Sequence, residues 1–253
     1  MSSTLIAAAV FVCAFGGALF GIFIRRRLPA HHLDDDSKDT VKLIMGLIAT
    51  LTALVLGLLI SSAHSAYDTQ TGEVQQLGVH LIQIDRILAQ FGQDATQPRA
   101  LLRKLVAADI DRTWRNGRAG PPSAAPLQAR QEGEQLFIQI ASLSPTTNLQ
   151  RFGQARALQL LATVGETRRL LTEQAHGSLS WVFLVVLVAW LTLLFFGFGL
   201  FARFNQTVVV ALIAGALSVA AAIFVILEMN HPYSGSMQVS SAPLRDALKQ
   251  MNE

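Results

Sequence analysis

At 253 residues the chain has room for one or two domains. It is 51% hydrophobic and only 15% charged, with a mean hydropathy of +0.41, against about 25% charged residues in an ordinary soluble domain. A formal net charge of +3 is too small to mark a nucleic-acid binder, and the basic residues neither cluster beside aromatics nor fall into helix-turn-helix or zinc-finger spacings. The single cysteine, Cys13, leaves no intramolecular disulfide and reads as a small packing residue.

A helix needs about 20 mainly apolar residues to cross a hydrocarbon core of ~30 Å. Leu5 to Ile24 is the first such run and holds no charge. Arg25-Arg26-Arg27 follows it, while Met1 to Thr4 carries no Lys or Arg. That order is the reverse of a cleaved signal peptide, so the run is predicted to stay as a membrane helix with its N-terminus outside. His31, His32 and Asp34-Asp35-Asp36 come next and read as a solvated or salt-bridged loop, whose Asp or Ser can cap a helix starting near Ser37. Val41 to Ile60 is the second run, with Lys42 at an edge where it can snorkel. Gly16, Gly17 and Gly21 in the first run, and Gly46, Ala53 and Gly57 in the second, allow close helix approach within a subunit or between subunits.

The second run leaves the membrane at Ser61, Ser62, His64, Ser65, Tyr67 and Asp68. His64 and Asp68 are four apart and share a helix face. The group suits a pore mouth, a proton-linked switch or a cation site. It also suits a plain solvated helix exit.

Residues 61–178 are too polar for lipid and too long for a loop. Val74, Leu77, Leu81, Ile84, Leu88 and Phe91 recur at spacings of three and four, the stripe of a helix packed on other helices. Only Gly72 interrupts the stretch from Ile60, at about 1 kcal/mol. One helix is therefore predicted from the second span to Phe91, ending at Gly92 in a left-handed cap. A second helix opens near Pro98 and buries Leu101, Leu102, Leu105, Val106 and Ile110. Gly117 to Pro126 is a loop. A third runs from Leu127 to Leu143 on Leu136, Phe137 and Ile140. A fourth is predicted to start at Ser144-Pro145, to carry Leu149, Phe152, Leu160, Val164 and Leu171, and to run through Gly177 into the third span. Eleven arginines on this region outnumber its acids and read either as a focused anion-attracting surface or as a solvated one.

Leu179 to Phe201 and Thr207 to Leu227 are the third and fourth apolar runs. Trp181, Trp190 and Tyr233 include candidate interface anchors. Glu228, Asn230, His231, Pro232, Tyr233, Ser234 and Gly235 close the fourth span. They read as a helix stop or as a second polar cluster on the side of Ser61 to Asp68. If the clusters met, His64, Asp68, Glu228 and His231 would form a sensible shell for a divalent cation. Residues 230–253 are left as a tail.

The chain thus reads as all-α: four transmembrane helices, residues 1–60 and 179–229, with spans two and three extending into a helical bundle outside the bilayer. Lys and Arg favour the cytoplasmic side of short loops. Arg25 to Arg27 and Lys38 lie between spans one and two, and Arg203 between spans three and four. The N-terminus, the central domain and the tail are therefore predicted outside the cytoplasm of a bacterial inner membrane. No P-loop, GxSxG, HExxH, cysteine pair or dinucleotide glycine fingerprint is present, so no catalysis, cofactor or resident metal is expected.

Leu58 to Gln70 (LLISSAHSAYDTQ), Leu81 to Phe91 (LIQIDRILAQF) and His231 to Leu248 (HPYSGSMQVSSAPLRDAL), within this four-span layout, resemble a family of bacterial and plant membrane proteins described as containing a bestrophin-like domain. The resemblance covers nearly the whole chain. Its link onward to true bestrophins implies a pentameric anion channel gated by calcium, with a cytosolic central region and an aromatic neck on span two. Here an acidic run after the proline–aromatic turn is missing: Pro232 and Tyr233 lead into Ser234, Gly235, Ser236 and Met237. Span two has no aromatic residue. Two functions follow as expectations. One is a homo-oligomeric ion channel in the lipid bilayer, with Thr50, Thr52, Ser61 and Ser62 facing its axis and an aliphatic constriction that gates by dewetting. The other is a membrane-anchored sensor or protein-interaction module.

Overall fold

The computed structural model describes residues 3–27, 35–114, 127–174, 181–202, 205–230, 233 and 237–253. Its elements in order are α1 (Ser3–Arg25), α2 (Asp35–Ala89), a 3-10 turn (Gly92–Ala95), α3 (Thr96–Thr113), α4 (Leu127–Ala141), α5 (Asn148–Gln174), α6 (Trp181–Phe201), α7 (Gln206–Met229) and α8 (Ala242–Asn252). No strand occurs among the described residues. Four helices, α1, the apolar part of α2, α6 and α7, are long and apolar enough to cross a membrane. The chain divides into two compact units, residues 1–65 with 178–230, and residues 66–177 with 231–253. The predicted passage of the fourth central helix through Gly177 into the third span lies outside the described residues.

In the first unit α1 packs closely on α6. A methyl group placed on Gly17 would lie 2.8 Å from the Thr192 carbonyl oxygen. One on Gly21 would collide with the Phe196 carbonyl, and one on Gly199 with the Ala18 carbonyl. Only glycine lets the two backbones approach this far. Val10, Leu184, Leu187, Leu191, Ile223 and Leu227 form one buried cluster, and Ala14, Ala18, Ile22, Phe195, Leu212 and Ala216 another. Arg25 Nη1 donates to the carbonyls of Phe201 and Ala202. A cation there satisfies carbonyls that the C-terminus of α6 leaves without helical partners.

In the second unit the predicted stripe from Val74 to Phe91 is buried along its whole length. Gly92 has φ +62, the left-handed conformation that reverses the chain and brings α3 back onto α2. Leu102, Leu105, Val106 and Ile110 complete the same core, with Leu136, Ile140, Leu160, Val164 and Leu171 from α4 and α5.

Three expectations fail in this unit. The fourth central helix starts at Asn148 rather than at Ser144-Pro145. Thr147 and Gln150 cap it reciprocally: Gln150 N donates to Thr147 Oγ1 at 3.1 Å, and Thr147 N to Gln150 Oε1 at 3.3 Å. Phe137, Leu149 and Phe152 are exposed, not core, because Leu136, Ala157 and Leu160 take the inward positions. The segment left as a tail forms α8, which buries Leu244, Ala247 and Met251. Gly78 admits it: a methyl on Gly78 would lie 2.8 Å from the Pro243 carbonyl oxygen.

Candidate functional site

Residues spaced by threes and fours share one face of a helix. Along α2 such a series runs Gly46, Thr50, Ala53, Gly57, Ser61 and His64, and its spacing continues to Asp68. Every one of these residues is exposed in the isolated chain. No atom lies within 4 Å of a methyl placed on Gly46 or Gly57. The Thr50 hydroxyl is satisfied by its own helix, donating to the Gly46 carbonyl at 2.9 Å. The face therefore combines small side chains, hydroxyls and an imidazole, flanked by the exposed Leu43, Leu47 and Leu54.

Thr52 does not belong to this face. It is buried and donates to the Ile48 carbonyl at 2.7 Å, because two residues of helix turn it ~200° from Thr50. Ser62 is exposed, a residue beyond Ser61 and so turned ~100° away. Tyr67 is half-buried against the core of the second unit.

Of the closing cluster, Glu228 is buried at the end of α7, and Asn230 is half-buried with its N–H on the Ile226 carbonyl at 3.1 Å. Tyr233 is buried in the second unit, edge-on to Trp114 with ring centres 6.4 Å apart. Its hydroxyl has no hydrogen-bond partner among the described residues. Burial, and then the negative charges of Glu73 and Asp109, push this phenol well above the ordinary range. His231, Pro232 and Gly235 lie outside the described residues. Among the described residues no three His, Cys, Asp or Glu side chains are grouped to hold a metal.

A Bestrophin-like domain model matches residues 12–244. The chain belongs to the bestrophin-like domain family. No curated protein matches it. Among solved structures, the bestrophin-like chain is similar in fold to a bacterial Bestrophin homolog from Klebsiella pneumoniae carrying a mutation, with TM-score 0.70 and 10% identity over 97% of this chain and 95% of that one. Another mutated form of that homolog gives TM-score 0.66 at 12% identity over 96% of each chain. A protein described only as a membrane protein gives 0.68 at 11%, again over 96% of each.

Four arginines of the bestrophin-like chain, Arg99, Arg103, Arg112 and Arg168, are half-buried, while Arg86, Arg130, Arg151, Arg156 and Arg169 are exposed. Arg99 grips Asp85 with two parallel bonds, Nε to Oδ1 at 2.9 Å and Nη2 to Oδ2 at 2.8 Å, and Arg103 adds a contact at 3.7 Å. Asp85 is 5% exposed. The bond to Asp85, working against partial burial, holds the Arg99 pKa above its ordinary value. Arg168 and Arg112 both bind Asp109. Arg112 and Asp109 are three apart on α3, but Asp85–Arg99, Asp85–Arg103 and Asp109–Arg168 join residues on different helices, so a reading by sequence neighbourhood misses those three. The one signal was an aspartate, Asp85, set directly beside the buried stripe.

Proposed function

We propose that the protein is a homo-oligomeric ion channel of the bestrophin type, conducting anions, with the exposed face of α2 lining the path. The observation that carries this reading is that face itself: a run of glycine, alanine, hydroxyl and imidazole side chains turned to open space on a helix long enough to cross a membrane. Lipid gives such a face nothing, whereas a water-lined axis shared by several subunits solvates it. Leu47 and Leu54 beside it are suited to an aliphatic constriction. His64 and Asp68 sit where a mouth would be, and a protonated His64 would favour anions. An oligomer is supported by the unit without a complete span. There Phe152 is 78% exposed, Leu149 67%, Ile138 59% and Val79 52%. Water, not lipid, would meet these side chains in a lone subunit.

The test is ion flux in liposomes, with His64→Ala, Asp68→Ala and Gly57→Leu beside the wild-type protein. Anion-selective flux is expected. Gly57→Leu should lower it at least tenfold, and the two mouth variants should change its selectivity or pH dependence. The second reading, a membrane-anchored interaction module, draws on the same exposed Phe152 and Leu149 as a surface for another protein. Absence of flux from folded, inserted protein across pH and calcium series would favour it.

Sidedness has two readings of its own. The Lys/Arg bias favours the second unit outside the cytoplasm of a bacterial inner membrane, whereas bestrophins keep it in the cytosol. A reporter inserted after Gly120 decides between them.

A further inference from the structure

The second unit holds a half-open cleft of about 250 Å³, with the exposed Phe137 and Gly165 at its rim. Its walls are Leu81, Leu105, Leu136 and Leu161, contributed by α2, α3, α4 and α5, and its polar edge is the Asp109–Arg168 pair. Two glycines from different helices, Gly133 on α4 and Gly165 on α5, also line it. A methyl on either would meet nothing within 4 Å. Close packing is the norm inside proteins, with few voids larger than a water molecule. Here the two residues that leave room are the two that any larger side chain would close. As a measure of scale, an apolar void of ~150 Å³ is enough for benzene. At about 250 Å³ the same scale admits roughly ten non-hydrogen atoms.

The edge sets the chemistry of the head group. Arg168 and Arg112 share the single carboxylate of Asp109, so the three groups carry one net positive charge. Arg168, 35% exposed, keeps guanidinium N–H groups beyond the one given to Asp109. We infer that this cavity is a binding site for a small amphipathic monocarboxylate, its apolar body among the leucines and its carboxylate on Arg168. The site is independent of conduction along α2.

The test uses the full chain in lipid nanodiscs, with octanoate as the probe and octanol and butyrate as controls, read by titration calorimetry. Octanoate should bind saturably, and octanol and butyrate at least tenfold more weakly. Gly165→Leu should abolish binding while the protein keeps its helical content and assembly size. Gly133→Leu, which fills the cavity from the other wall, should do the same, so a folding failure of one variant does not decide the result. Arg168→Gln should weaken octanoate at least tenfold and leave octanol unchanged. Three results overturn the proposal: no saturable octanoate binding to the wild type, octanoate binding unchanged in a folded cavity-filled variant, or octanol binding as tightly as octanoate.

Discussion

Helices α1 and α2 both carry glycines in their apolar stretches, yet put them to opposite uses. Gly17 and Gly21 of α1 are pressed against the backbone of α6, where no side chain fits. A methyl on Gly46 or Gly57 of α2 would meet no atom within 4 Å. Glycine in a membrane helix therefore has no fixed meaning. At Gly17 and Gly21 of α1 it is explained by the fold of one chain. At Gly46 and Gly57 of α2 it costs about 1 kcal/mol of helix propensity relative to alanine, and no atom of that chain lies where a methyl would sit. The proposed channel would supply the missing surroundings, as a neighbouring subunit or an aqueous axis.

The comparison is broken most directly by exchanging the glycines for leucine. Gly21→Leu would drive a side chain into the Phe196 carbonyl and the Leu200 amide. Overpacking against backbone, which cannot rotate away, should cost on the order of 3 kcal/mol or more, seen as lost stability in detergent unfolding. Gly57→Leu should leave the stability of a dissociated subunit within about 1 kcal/mol, with the propensity gain in its favour, while reducing flux or assembly. Equal destabilisation by both variants would end the distinction.

The second unit offers smaller effects. Asp85→Ala should cost about 2 kcal/mol by leaving Arg99 and Arg103 without their shared carboxylate, measured by urea unfolding. The half-exposed arginines recover some water, which keeps the loss below that of a fully buried pair. Tyr233→Phe should be the mildest at neutral pH, within about 1 kcal/mol, because the hydroxyl removed has no partner among the described residues. Its effect lies in alkali. Burial raises the folded-state pKa of Tyr233, whereas the unfolded chain loses the proton near pH 10.0. Stability from this group is complete below that pH and falls as pH rises toward the folded value. The Phe variant should show a flatter alkaline limb in stability measured against pH.

The long helices were legible because many residues vote for them. The stripe from Val74 to Phe91 spans five turns, and Gly92 marks its end without competition. The start of α5 was not, because Ser144-Pro145 and the Thr147–Gln150 box are both valid caps and only packing chooses. Helix α8 was readable in Leu244, Ala247, Leu248 and Met251, spaced by threes and fours, although a polar stretch before it resembles a loose end. Thr50 and Thr52 lie ~200° apart on any α-helix, so the sequence already kept them off one face, but only packing showed which of the two is exposed. The Asp85–Arg99 pair needed the reversal at Gly92, and the cavity needed four helices at once. No local pattern encodes either.

Trp114 gives the second unit an optical handle. It is buried, and its indole Nε1 donates to the Val239 carbonyl at 2.9 Å, across 125 residues of chain. The other two tryptophans, Trp181 and Trp190, both lie on α6. With those two replaced by phenylalanine, the emission colour of a single fluorophore reports whether the C-terminal segment is held. A red shift would time its release, in living membranes as readily as in a cuvette.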